Sequence, residues 1–565
     1  MQAWTRSSYV NVFHDQRMQF NEVIEDHRLV MARNEYQSFQ ICIRSEDAFT
    51  INGVTFDDLT CDGGRIPACM CAYHYVEYVY GPYNSLGMTP EDAVRRAPEF
   101  YPDPLSNDRT VQVPRKTTQP IWVTLFVPAG TKRGVYKGCA HVHTTRGRMD
   151  VRMSAEVCAV TLPDASRGAL DYMHHQQITG VWWLPSEPGH YPNDPITICY
   201  GYDRWTDDWW KLVGDIADQM RMHRQNILYL NLPQLLMDGG TQVDERGNFT
   251  FNWSRVDEYV RFFADKGVVK GLEGTHIASI DYFKMHFTTY LLRRNEQGVM
   301  QVGMAAHDSA ESLRWLTQYL PALQAHIEEM GWLPVWYQHV GDEAMNDAQL
   351  AQYTFYYRQM RALAPKLKIG DPVTHVDFAR HQLALGTDVQ VPIESAYDEN
   401  RELFAQAARD GVRLYLYNCC GPSGSWLNRF VDKPVWHMRM LGWLLYAWDI
   451  KGFLHWGYNF WNDWGIREFL EIGEEEFKGD HYTIYPDPHH AHKVRSSIRY
   501  EANRDAAQDF ELLTILGRND PQGAKALVSQ IARDAKDDYT RDTRLMLKAR
   551  DELVRRAAAV AQESD

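Results

Sequence analysis

Leu333-Pro334-Val335-Trp336-Tyr337-Gln338-His339-Val340-Gly341-Asp342-Glu343-Ala344-Met345-Asn346-Asp347 is the stretch on which the fold turns. Its first five residues are apolar and β-favouring, as a buried strand requires. Its end, Asn346-Asp347, has the chemistry of a helix cap, and the pattern beyond it predicts a helix to Ala364. Between strand and helix stand two adjacent carboxylates, Asp342 and Glu343. In an α/β barrel such a junction lies at the C-terminal face, where catalytic groups collect. Neighbouring side chains on a regular strand point to opposite faces, so the two can serve one substrate only if the extended geometry stops at them. Gly341 is the residue that makes such a break easy. Held close, they resist being charged together, so one of them keeps a proton and can act as a general acid. The competing reading is a helix start, where the macrodipole favours acidic residues.

Outward from this stretch, strand-like runs alternate with amphipathic helices from Ala169 to about Tyr485. Strands are expected around Leu170–His175, Ile227–Leu232, Gly271–Ile277, Pro334–Val340, Lys368–Asp371, Val389–Ile393, Val412–Tyr417 and Gly452–Trp456. Between them Trp209, Leu212, Val213, Ile216 and Met220 keep helical spacing, and further helices are expected near Val256–Lys266, Ala310–Met330, Asp347–Ala364, Arg401–Asp410 and Val435–Asp449. Repeated alternation of this kind predicts a (β/α)8 barrel over 169–485. Before it, residues 1–165 read as a β-sandwich, with short alternating segments such as Ser38–Ile43, Ile121–Pro128 and His141–Thr144 set between turn signals. After it, 496–564 reads as a charged helical segment whose stripe of Ala502, Ala506, Phe510, Leu513 and Leu516 should pack on the barrel.

Bulk properties exclude several classes. A formal net charge of −15 disfavours nucleic acid and anionic membrane surfaces as partners. No apolar run approaches the roughly 18 residues of a membrane span. The opening residues lack signal-peptide regions, so a cytoplasmic protein is expected. The nine cysteines show no metal spacing. HExxH, GxxxxGK[ST] and GxSxG are all absent, and no metal or cofactor is expected. The histidines beside Pro488, at 489, 490 and 492, read as a solvated loop.

Strand ends instead collect neutral hydrogen-bonding groups and aromatics: His174, His175, Asn231, His276, His339, Tyr417, Asn418, Trp456 and Tyr458. Other aromatics near strand ends are Trp182-Trp183, Trp426, Trp461 and Trp464. Such a mixture suits a neutral polar ligand, because flat rings match the C–H faces of sugars and their polar edges match hydroxyls. Trp456 and Tyr458 should share one face of the last strand.

The chain resembles the sandwich-plus-barrel proteins of glycoside hydrolase family 123, the β-N-acetylgalactosaminidases. The resemblance is carried by Ala32-Arg33-Asn34-Glu35-Tyr36-Gln37-Ser38-Phe39-Gln40, Gly134-Val135-Tyr136-Lys137-Gly138, Gly452–Trp461, Ser497–Asp505 and the Asp342-Glu343 pair. It implies a retaining exo-glycosidase acting on β-linked N-acetylhexosaminides, with N-acetylgalactosamine favoured. Under it Glu343 protonates the leaving oxygen, and Asp342 orients the 2-acetamido group that attacks the anomeric carbon, an exception to the two-carboxylate scheme. A tyrosine close after the pair, which the resemblance also implies, has no counterpart between Val373 and Phe378. Two alternatives stay open on residues alone. One is a glycosidase on a sugar without an acetamido group, pairing Glu343 with Glu273, Asp371 or Glu394; the other is a carbohydrate-binding protein without catalysis.

Overall fold

In the computed structural model, residues 1–18, 27–182, 194–281, 286–461 and 477–562 are described. The chain divides into two compact units. One comprises 1–170, 423–449 and 463–565; the other comprises 171–422 and 450–462.

The first unit is mostly β at its N-terminus. Glu35–Arg44 and Thr118–Val127 pair antiparallel at the centre of one sheet, and Gly134–Thr144 with Gly147–Thr161 form the hairpin of another. Both sheets contribute to a single core that includes Phe39, Ile41, Ile121 and Val123 from one and Tyr136, Val142, Val151 and Met153 from the other. Helices complete this unit: His437–Ala447, Ile498–Asn519, Pro521–Ser529 and Thr543–Gln562. Ile498–Asn519 packs on His437–Ala447, a helix from the 169–485 span. The segment from Ser496 onward groups with the β sheets, since Thr543–Gln562 packs on the strands Gly147–Thr161 and His27–Arg33. The helix expected at Val435–Asp449 sits with that unit too.

Charge explains the grouping. Arg439 holds Asp509 at 2.6 Å and Asp505 at 3.0 Å, and Arg550 pairs with Glu35. Gln508 donates to the Tyr36 carbonyl and accepts from its N–H, both at 2.8 Å. These charges are buried in pairs, the condition under which buried charges persist. An amphipathic stripe alone does not reveal such partners. The histidine-rich loop after Pro486 is a turn in which His490 Nδ1 lies 2.9 Å from Asp487.

Among the described residues of the second unit, eight short strands make parallel pairings: β1 (Asp171–His174), β2 (Ile227–Leu230), β3 (Gly271–Gly274), β4 (Trp336–Gln338), β5 (Gly370–Val373), β6 (Val389–Pro392), β7 (Arg413–Tyr417) and β8 (Gly452–His455). Every named pairing among them is parallel. One sheet runs β1-β8-β7-β6-β5 and another β2-β3-β4. All eight fall on the expected segments, although Leu333–Val335 forms a 3-10 turn before β4. An antiparallel sheet of Ala278–Asp281, His286–Arg294 and Met300–Ala306 is inserted between β3 and β4, a feature the alternation pattern does not announce. Among the described residues no helix is long and apolar enough to cross a membrane.

Candidate active site

Past Gln338 the chain of β4 stays extended because both neighbours hold it. Ala278 donates its N–H to the Val340 carbonyl at 2.8 Å, on the β3 side. On the other side Asp371, from β5, accepts the N–H groups of Val340 at 2.8 Å and Gly341 at 3.1 Å. The Tyr353 hydroxyl, on the helix Asp347–Leu363, donates to the second Asp371 oxygen at 2.8 Å. The break then falls at Glu343 and not at Gly341. Glu343 has φ +30°, in the left-handed region that costs a side-chain-bearing residue on the order of 1–3 kcal/mol. That turn frees Asp342 and Glu343 from strand alternation. Both side chains are partly buried, whereas the residues just before them are fully buried.

Asp342 and Glu343 interact electrostatically. Burial pushes Asp342 well above the usual carboxylate range, and the charge of Glu343 pushes it further, against the pull of His339. Burial also raises Glu343, opposed by a hydrogen bond from the Tyr417 hydroxyl and by the nearby His375. Tyr417, on β7, is in turn raised by burial and by both carboxyls. A tyrosine therefore does touch the pair, but it arrives from a strand 74 residues later in the chain.

Behind the pair lies a buried ionic network. His339 bonds Glu273 through Nε2 and Asp371 through Nδ1 at 3.3 Å, and His175 reaches the same Glu273 oxygen at 2.8 Å. Burial works against charge on His339, yet Glu273 and Asp371 outweigh it and push the imidazole up to about 10. Burial likewise works against Glu273, but the two imidazoles hold it down at about 2. His276 stacks between Trp182 and His339, each ring centroid 4.2 Å away, and burial keeps it well below the usual histidine range. The sets His175–Glu273–His339 and His276–His339–Asp371 bring ligand-type atoms within 4.8 Å. Within the first set, and between His339 and Asp371, the contacts are hydrogen bonds.

This network has a pH signature. The pKa of His339 rises on folding, so its contribution is full below about pH 6.5 and is lost as pH climbs through about 10. That of Glu273 falls, so its contribution is full above about pH 4.5 and is lost towards about 2. Glu273→Gln takes from the buried His339 cation one of its two carboxylate partners, and breaking a buried pair costs about 3–5 kcal/mol. Thermal melts should show a large fall in Tm near neutrality and a flatter alkaline limb between pH 6.5 and 10. An unchanged melting profile would remove the network from the account.

The remaining expected site residues are placed as follows. His174 meets the Tyr172 hydroxyl at 3.0 Å, Asn231 donates to the Gly180 carbonyl at 3.2 Å, and Asn418 donates to Glu394 at 2.7 Å. His174, His175, Asn231, His276, His339, Tyr417, Asn418 and Tyr458 are all buried; Trp456 is half-exposed. The shared face expected for Trp456 and Tyr458 is corrected, because β8 ends at His455 and alternation ends with it. Trp183 and Trp464 lie outside the described residues. Glu273, Asp371 and Tyr353, which organise the pair from beneath, carry no distinguishing local signal beyond an acidic residue inside or beside an apolar strand.

The catalytic-domain model of glycoside hydrolase 123 matches residues 193–516, and the N-terminal-domain model of glycoside hydrolase 123 matches 14–144. No curated protein matches the sequence. Among solved structures, a family 123 glycoside hydrolase from Clostridium perfringens, studied for glycolipid glycan hydrolysis, aligns over 100% of this chain and 99% of its own. Its TM-score is 0.75 at 14% identity. A GH10 xylanase with a bacterial Ig-like domain from termite gut aligns over 86% of this chain and 100% of its own, with TM-score 0.32 and 10% identity. A Thermobacillus composti GH10 xylanase covers 52% of this chain and 92% of its own, with TM-score 0.31 and 14% identity.

Proposed function

This chain belongs to glycoside hydrolase family 123, and on that premise we propose that it is a retaining exo-glycosidase for β-linked N-acetylhexosaminides, N-acetylgalactosamine foremost. The observation that carries the reading is the pair at the end of β4: adjacent carboxyls, released from alternation at Glu343, both with raised pKa. The pair titrates as a unit and holds a proton to higher pH than an ordinary carboxyl would. A bound 2-acetamido N–H donates to Asp342, which stabilises its anionic form and leaves the proton on Glu343. Asp342 then orients the acetamido oxygen for attack on the anomeric carbon, while Glu343 protonates the departing glycosidic oxygen. The resulting oxazolinium intermediate is opened by water that Glu343, now ionised, deprotonates.

The alternative of a protein nucleophile finds little support. Glu273 is ion-paired to two histidines, Asp371 is committed to backbone and Tyr353, and Glu394 is buried and bonded by Asn418. We also propose that the eight parallel strands close into a (β/α)8 barrel. In support, Gln338 donates its N–H to the Lys368 carbonyl ahead of β5, and Asn226, just before β2, donates its N–H to the Tyr172 carbonyl of β1.

A panel of aryl β-glycosides tests the reading. The 2-acetamido galactoside should be cleaved, with the β-anomer released first, and the 2-hydroxy galactoside should be a poor substrate. Preference for the 2-hydroxy sugar, or no hydrolysis at all, would sink it. Tyr417→Phe adds a sharper check. Its hydroxyl favours the ionised form of Glu343, so removing it raises the carboxyl pKa. The basic limb of kcat/KM against pH should therefore move upward; a downward shift would contradict the assigned proton donor.

A further inference from the structure

Beyond Glu343 the loop and two further strand ends enclose a cavity of about 460 Å3. That volume lies within the roughly 300–1,000 Å3 of small-molecule sites. One wall is Ala344–Asp347, beginning at the residue after Glu343, and the facing wall is Thr374–Phe378. Ala344 is bonded directly to Glu343, so the cavity opens next to the proton donor. A leaving group protonated by Glu343 can extend into it.

The lining is polar in a particular way. Asp347, Asp377 and Glu399 are exposed carboxylates, Asn400 adds an amide, and Met345 presents an apolar surface at 50% exposure. Carboxylates and amides accept hydrogen bonds from hydroxyls, and a methionine adapts to a ring's C–H face. The helices Asp347–Leu363 and Val376–Leu385 both begin here. Each N-terminus carries about +0.5 of a charge, which its own first-turn aspartate outweighs. The cavity is thus net negative and rich in acceptors.

Resting on the hydrolase reading above, we propose that this cavity is the leaving-group subsite, and that it selects an uncharged saccharide over an acidic one. The acidic lining is solvent-exposed, so the discrimination is electrostatic and screened by salt.

The test uses the full chain and three substrates: an aryl β-N-acetylgalactosaminide, and two disaccharides in which N-acetylgalactosamine is β1,4-linked to glucose or to glucuronic acid. The two leaving sugars differ only in a C6 carboxylate. At low salt kcat/KM should favour the glucose disaccharide by about 5–20-fold, narrowing as ionic strength rises. The double variant Asp377→Asn/Glu399→Gln should shrink that ratio at least threefold. Asn400→Trp, which fills the cavity, should lower kcat/KM on the glucose disaccharide at least tenfold more than on the aryl glycoside. Equal losses on the aryl glycoside and the disaccharide from Asn400→Trp, or an unmoved glucose-to-glucuronate ratio in the double variant, would overturn the subsite while leaving the hydrolase reading intact. No cleavage of any of the three by the wild type would overturn the hydrolase reading, and the subsite with it.

Discussion

Replacing Glu343 with glutamine is expected to lower kcat by about 10²–10⁴-fold on a glycoside with a poor leaving group, the range that general acid catalysis supplies. Glutamine keeps the shape of the side chain and can still accept the Tyr417 hydroxyl bond, so the loss isolates the proton. An activated aryl leaving group departs without protonation, and on it the same variant should lose far less in the glycosylation step. The difference between the two substrates is the measurement. Equal losses on both would mean that Glu343 holds the site together and does not deliver a proton.

Asp342→Asn is expected to be damaging in a different way. Under the proposed reading its partner is the acetamido nitrogen and the positive charge that develops as the amide oxygen attacks. Loss of one preorganised charge at such a position costs on the order of 10²–10³-fold in kcat. The loss should be similar for good and poor leaving groups, since the missing interaction belongs to the nucleophile. It should also be accompanied by a change in the pH profile. Glu343 is one of the causes that raise Asp342, and such repulsion is mutual, so neutralising Asp342 lowers the pKa of Glu343 while burial still keeps it raised. A basic limb that moves down in Asp342→Asn and up in Tyr417→Phe would be hard to obtain from any other pairing of roles.

What the sequence disclosed, and what it withheld, follow from the range of the interactions involved. The eight strands of the second unit were legible because each is a short apolar run bounded by amphipathic helices. The observed bounds differ from expectation by three residues at most. The location of Asp342 and Glu343 at a strand end was legible for the same reason. The device that makes them a pair was not. Gly341 has the permissive chemistry, yet the left-handed turn sits on Glu343, held there by Asp371 from the next strand and by the inserted sheet around Ala278. Tyr417 bonds Glu343 from one strand end and His375 acts on it electrostatically from another, and nothing local to either announces this.

The same distinction governs the charged residues. From the sequence Glu273, inside β3, is a candidate second carboxylate and His339, just past β4, a candidate substrate contact. In the structure the two are bonded to each other. Glu35 and Arg504 lie in two of the stretches that carry the family resemblance. Their partners explain why those residue types stand there: Glu35 pairs with Arg550, and Arg504 bonds Ser38, Glu501 and Asp505. Helical periodicity showed that the C-terminal segment has a packing face, but only these long-range pairs determine which unit that face joins.

The central claim is that the substrate's own acetamido group is the nucleophile and that Asp342 supports it. Inhibition by an N-acetylgalactosamine-derived thiazoline, a stable mimic of the cyclised intermediate, measures this most directly in wild type and in Asp342→Asn. The thiazoline should bind the wild type at least 10²-fold more tightly than N-acetylgalactosamine itself, as a mimic of a high-energy species should. Most of that advantage should disappear in Asp342→Asn while affinity for the simple sugar changes little. Equal thiazoline affinity in the two proteins, or a wild type that binds the thiazoline no better than the sugar, would contradict that claim.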